Sequence, residues 1–147
     1  MAIDLTCYHC NHLDVAFAYY DEDNNEVKSY ECELEHPDID EDSDICEDFV
    51  PCSMTNNLYV RGVIDMPLET WLEKSKPCYH LALLRRLKHD CMEYLTTKKR
   101  DSSHFWADTK EEQIKAMETI WNRLPVKEKP DWLTIDDIVT FKVTLGV

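Results

Sequence analysis

Two pairs of cysteines set the first chemical question. Cys7-Tyr8-His9-Cys10 holds two thiols three positions apart, and Cys46 and Cys52 follow later in the chain. Zinc takes four thiolate or imidazole ligands in a tetrahedron, and a Cys-x-x-Cys turn can fold back onto one ion. Five of the seven cysteines fall in the first 52 residues. An odd number, with no signal peptide at the start, argues against a disulfide framework. Cys7, Cys10, Cys46 and Cys52 are therefore expected to hold a zinc ion. The gap between Cys46 and Cys52 is longer than usual, so Cys32 and His36 stand as reserve ligands. His9, inside the knuckle, and His12, at the start of the following strand, suit the role less well. Four thiolates leave no position for water, so the expected zinc is structural rather than catalytic. A thioredoxin-like redox role needs a Cys-x-x-Cys that opens a helix. Here a strand-like run follows instead.

The second candidate chemistry is electrostatic. Residues 1–48 hold sixteen Asp and Glu against a single base, Lys28, whereas residues 49–147 hold fourteen acids and fifteen bases. The formal charge of −14 resides almost wholly in the first third. Such a field repels nucleic acid and membrane surfaces and attracts basic partners. Glu31, Glu33, Glu35, Asp38, Asp40, Glu41, Asp42 and Asp44 are the expected partner-binding acids. The plain reading of the same run is a solvated face that aids solubility. Asp38 to Asp44 resembles the start of a calcium loop. It lacks the glycine at loop position six, and Phe49 stands where the bidentate Glu belongs.

Other chemistries have little support. There are only two glycines, Gly62 and Gly146, too few for a Walker loop, a dinucleotide fingerprint or a nucleophile elbow. His89 and Cys91 offer a base and a nucleophile by type, but residues two apart on a helix face away from each other. Cys78 lies at a helix start with no partner indicated.

The elements that must position these residues follow from periodicity. Residues 13–20 and 27–34 read as a hairpin across Asn24-Asn25, which tolerates the left-handed conformation of a turn. Residues 36–48 read as an acidic loop. Residues 58–64 read as a third strand. A short helix is expected from Asp65 to about Lys74. A longer one is expected from Ser75 to about Leu95, with Leu84, Leu87, Cys91 and Tyr94 inward. Thr97–Ser103 reads as a basic loop. Asp108 or Thr109 caps the next helix, with Ile114, Met117, Trp121 and Leu124 inward. Thr134 caps the last, with Leu133 and Ile138 as a staple and Ile135, Ile138 and Val139 inward. The four tryptophans are expected as core anchors. The fold class expected is α+β: a small N-terminal antiparallel β zinc-ribbon-like module, residues 1–64, packed with a C-terminal bundle of about four helices, residues 65–147. No apolar run is long enough for a bilayer, and Met1-Ala2-Ile3-Asp4 does not open a signal peptide. A cytoplasmic location is expected.

The C-terminal part carries a resemblance. Residues 84–95 with Asp90-Cys91, then Trp106-Ala107, Glu112-Gln113-Ile114, Trp121-Asn122 and Trp132-Leu133-Thr134, resemble the large polyvalent protein-associated domain, type eleven. Ala107-Asp108-Thr109 stands where that family suggests a glycine-containing turn. The resemblance implies a phage or mobile-element origin in a bacterial host, and implies no catalytic residue. In that setting a very acidic, metal-bound, non-enzymatic chain looks like an anti-CRISPR protein. The expected partner is a host CRISPR effector nuclease of type II, or another basic nucleic-acid-binding protein, since such nucleases hold their duplex in a positively charged channel. Direct DNA binding and membrane binding are not expected. A second expectation is a mobile-element replication or recombination accessory module, touching nucleic acid through Arg85, Arg86, Lys98, Lys99 and Arg100. A third, a metal-dependent hydrolase, is disfavoured by the closed metal shell and the lack of a convergent acid–base pair.

Overall fold

A computed structural model of the chain describes Leu5, residues 9–32 and residues 49–147. The chain divides into two compact units. One comprises Met1–Tyr59 with Val63–Asp65, and the other Val60–Gly62 with Met66–Val147.

In the first unit, β1 (Leu13–Tyr20) pairs antiparallel with β2 (Glu26–Cys32), with an irregularity between Val15 and Phe17. The turn is built by Asp21. Its carboxylate accepts the backbone N–H of Asp23 and of Asn25, and Asn24 takes the positive φ of 63° that an Asn tolerates. Helix α1 (Ser53–Val60) follows the acidic stretch.

The α+β zinc-ribbon-like architecture expected for the chain is not the one formed. Among the described residues the hairpin is the whole sheet, five α-helices dominate, and no group of three His, Cys, Asp or Glu side chains converges to hold a metal. The stretch expected as a third strand is instead the end of α1 and the turn after it. Its burial explains why: Thr55, Asn56 and Tyr59 are buried at helical spacing. The apolar run Leu58-Tyr59-Val60 reads equally well in either state until packing decides. Gly62, at φ +81°, then reverses the chain.

The second unit holds α2 (Leu68–Lys74), α3 (Pro77–Thr96), α4 (Lys110–Arg123) and α5 (Ile135–Leu145), with α4 packed against both α3 and α5. Leu83, Leu84, Leu87 and Cys91 of α3 meet Ile114, Met117 and Ile120 of α4 in a core that excludes solvent. Thr109 caps α4 by accepting the Glu112 N–H. Thr134 and Asp137 form a reciprocal capping box, with Leu133 and Ile138 both buried beside it. Ile135 and Val139 are exposed, so α5 buries a narrower stripe than its composition suggests. Of the four tryptophans only Trp71 is fully buried.

Ser75 does not open α3. Lys76 holds that position, and Ser75 ends α2 instead. The Ser75 hydroxyl donates to the Trp71 carbonyl (2.6 Å) and therefore accepts from His80 Nε2 (2.9 Å). His80 is buried with its ring 5.4 Å from that of Trp71. Burial first, and then the nearby Arg123, hold its pKa below the ordinary 6.5.

The sign of the pH dependence follows. Above about pH 6.5 the imidazole is neutral whether folded or unfolded, and the packing is at full strength. As pH falls through that value the unfolded chain takes the proton first, so stability declines until the folded imidazole also titrates. Between pH 7 and 5.5, chemical denaturation of the wild type should therefore show a steeper loss of stability than the H80Q variant. The exposed control H89Q should keep the wild-type slope. Equal slopes for the wild type and H80Q would refute the assignment.

Candidate functional site

The described half of the expected metal site lies where the chain returns on itself. Cys10 bridges Pro51 in antiparallel fashion, the Asn11 N–H donates to the Val50 carbonyl (2.6 Å), and the Cys52 N–H donates to the His9 carbonyl (3.1 Å). Cys10 and Cys52 are therefore set on neighbouring backbone. The His12 backbone N–H donates to Cys10 Sγ (3.4 Å). The Thr55 hydroxyl donates to the His9 carbonyl (2.8 Å) and lies 3.2 Å from Cys52 Sγ, where α1 begins. Cys7 and Cys46 lie outside the described residues, as does the reserve ligand His36. Cys32 ends β2, opposite Leu13 in the register.

Of the acids expected to meet a partner, Glu31 lies in β2 opposite Asp14. Glu33, Glu35, Asp38, Asp40, Glu41, Asp42 and Asp44 lie outside the described residues.

The second unit contains a constellation that sequence reasoning did not assemble. Asp90, nearly enclosed within α3, accepts from three elements at once. Arg86 Nε reaches its Oδ1 at 2.9 Å, while the Trp106 N–H (2.9 Å) and Gln113 Nε2 (3.3 Å) reach its Oδ2. Gln113, itself fully buried, also donates to the Leu87 carbonyl and accepts the Ala107 N–H through Oε1 (2.9 Å). Arg86 continues the network outward to the carbonyls of Val60, Arg61 and His104. Beside it opens a cavity of about 530 Å³, walled by Arg61, His89, Glu93, Ser103, His104 and Trp106.

The signal was present in part. Asp90-Cys91, Trp106-Ala107 and Gln113 are the motif residues on which the family resemblance rests, and they bind one another. Cys91 is core: burial, and then Asp90 beside it, push its thiol up to about 12, which leaves it protonated and inert. The other motif element is also structural. The Trp121 indole donates to the Leu133 carbonyl, and Lys88 donates to that of Trp132.

Several basic side chains of this unit are engaged. Arg85 and Lys88 lie over the Trp132 ring, Lys129 over Trp121 and Lys110 over Tyr94. Arg123 pairs with Glu69 and Lys142 with Glu118. Lys98, Lys99 and Arg100 are exposed in the turn after α3.

Comparison with known proteins agrees with the resemblance. Residues 78–145 match the family model of large polyvalent protein-associated domain 11, just under half of the chain. No curated protein and no solved structure matches. No described helix is long and apolar enough to cross a membrane.

The Asp90 network makes a measurable claim. Arg86 and Asp90 should show a coupling of about 1–3 kcal/mol in a double-mutant cycle with R86A and D90A, read by denaturant unfolding. Because Asp90 is shielded from solvent, the coupling should change little between low and high salt. A coupling near zero would show that the carboxylate is satisfied without the guanidinium.

Proposed function

We propose that this chain is an acidic, zinc-stabilised protein inhibitor, encoded by a phage or mobile element. It binds a basic surface of a type II CRISPR effector nuclease and blocks target DNA loading or cleavage. The observation that carries the reading is the segregation of charge: sixteen acids against one base in the first 48 residues. Carboxylates at that density compete for the Lys and Arg side chains with which a nuclease holds its duplex. The helical unit engages some of its own bases. Arg85, Lys129 and Lys110 stack on Trp132, Trp121 and Tyr94, and Arg86, Arg123 and Lys142 pair with Asp90, Glu69 and Glu118. The accessory-module alternative retains the exposed Lys98, Lys99, Arg100 and Arg85, whereas Arg86 is held by Asp90 and backbone carbonyls. The match to a domain associated with large polyvalent proteins is compatible with a phage or mobile-element setting.

The zinc belongs to the same proposal. The backbone bridge beside Cys10 and Cys52, and the N–H aimed at the Cys10 sulfur, fit a knuckle in which Cys7, Cys10, Cys46 and Cys52 are the ligands. Bound there, zinc would supply a cross-link between the start of the unit and the segment before α1, and no open position for chemistry.

Two measurements test these claims. Cleavage of target DNA by a guide-loaded type II effector should be inhibited by the full chain, less so at high salt. Reversing Asp38, Asp40, Asp42 and Asp44 to Lys should weaken inhibition at least about tenfold, from four charge pairs worth a few tenths to 1 kcal/mol each. Undiminished inhibition by the reversed protein would sink the reading.

For the metal, the purified chain should carry about one zinc per molecule, and a strong chelator should lower its melting temperature. C10S and C52S should each reduce the zinc content. Metal-free protein with unchanged melting would rule out the structural role.

A further inference from the structure

Thr55 stands between the two cysteine pairs of the expected knuckle. It lies in the first turn of α1 and is only 1% exposed. A Thr on a helix commonly turns its hydroxyl back to the carbonyl three or four positions earlier. Here both of those carbonyls accept from Asn56 instead: Pro51 from its side chain (3.2 Å) and Cys52 from its N–H (2.9 Å). The Thr55 hydroxyl crosses 46 positions to donate to the His9 carbonyl (2.8 Å), which lies between Cys7 and Cys10 in the sequence. The same oxygen lies 3.2 Å from Cys52 Sγ. One buried side chain thus touches the backbone of the first cysteine pair and the sulfur of a cysteine from the second.

A hydroxyl has a single proton to give. While Cys52 is a thiol, its S–H can donate to Thr55, and Thr55 donates to His9. A sulfur that ligates a metal carries no proton, so the contact can then be kept only by the hydroxyl. Thr55 can make that change without leaving the His9 carbonyl unpaired, because the same carbonyl also accepts the Cys52 N–H (3.1 Å). We infer that Thr55 is a positioning residue of the zinc site: its hydroxyl turns from the His9 carbonyl to the Cys52 sulfur when the metal is held, and fixes that ligand against the first pair. This role rests on the zinc reading and adds to it a residue that is not itself a ligand. It needs no new element, since His9, Cys52 and Thr55 all belong to the first unit.

Zinc titration of the full chain in competition with a chelator of known affinity tests it, in the wild type and in T55V, T55A and T55S. T55V keeps the volume and loses the hydroxyl, and T55A loses the hydroxyl without crowding the site. Both should bind zinc about tenfold more weakly, the usual order for an outer-shell partner of a metal ligand. T55S keeps the hydroxyl and should bind as the wild type does. Cobalt(II) loading supplies a readout that packing alone would not move. Removing a hydrogen bond to a ligating sulfur makes it a better electron donor, so the sulfur-to-cobalt charge-transfer band should move to longer wavelength in T55V and T55A and stay in place in T55S. Wild-type zinc affinity in both T55V and T55A, an unmoved band in both, or a loss in T55S equal to theirs would overturn the role of Thr55 and leave the zinc reading standing. A wild-type chain that takes up no zinc would overturn both.

Discussion

One buried carboxylate governs the helical unit. Asp90 is almost withdrawn from water, and an ionised group in that position costs several kcal/mol unless donors surround it. Its donors come from three parts of the chain: Arg86 one turn earlier on α3, the Trp106 backbone in the connection, and Gln113 on α4. Satisfying the carboxylate thus sets how α4 sits on α3 and where the intervening chain must pass. Gln113 does the same in reverse, holding the Ala107 N–H and the Leu87 carbonyl across the same gap. The apolar core of Leu83, Leu87, Met117 and Ile120 supplies the greater share of burial energy. Hydrophobic contact alone would tolerate several registers of two such helices. The polar network selects one.

The same unit seats several of its bases on aromatic rings. Indole and phenol faces take up Arg85, Lys88, Lys129 and Lys110. Lys88 and Lys129 also donate to the backbone carbonyls of Trp132 and Trp121. Half-buried tryptophans here act less as core anchors than as landing sites for long cationic stems, which bury their methylenes and keep the ring partly covered. The net charge of −14 lies in the acidic first third. Its like charges have few counter-ions of their own along the chain.

Legibility in the sequence followed the strength of periodicity. The α3 stripe through Leu84, Leu87 and Cys91, the α4 stripe through Ile114 and Met117, and the Thr134 cap could be read directly, because helical spacing and side-chain capping are local properties. Residues 58–64 could not. Strand and helix both accommodate Leu58-Tyr59-Val60, and the choice fell to Thr55 and Asn56, polar residues whose burial depends on the His9 and Pro51 carbonyls. Ser75 was ambiguous for a related reason: a hydroxyl suits the start of one helix or the end of another, and His80 decided it. The Asp90 constellation was legible as a set of motif residues but not as a network. Its partners lie 16 and 23 positions apart, and no local rule links an Asp on one helix to a Gln on the next. The cavity was still less visible, since Arg61 reaches it from a stretch that had been read as a strand.

The first unit poses a different physical problem. Among its described side chains the buried apolar set is short, namely Phe49, Tyr59 and Ile64. His9, Thr55 and Asn56 are buried alongside, and the Thr55 and Asn56 side chains donate to backbone carbonyls of the returning chain. Such hydrogen bonds fix geometry but contribute only about 1 kcal/mol each. Meanwhile sixteen carboxylates in the same third of the sequence repel one another. Such repulsion is what a covalent or metal cross-link would act against. The junction of residues 9–12 with residues 50–55 is the point at which such a link would act. It lies on either side of the acidic segment in the sequence, so a cross-link there would close that segment into a loop.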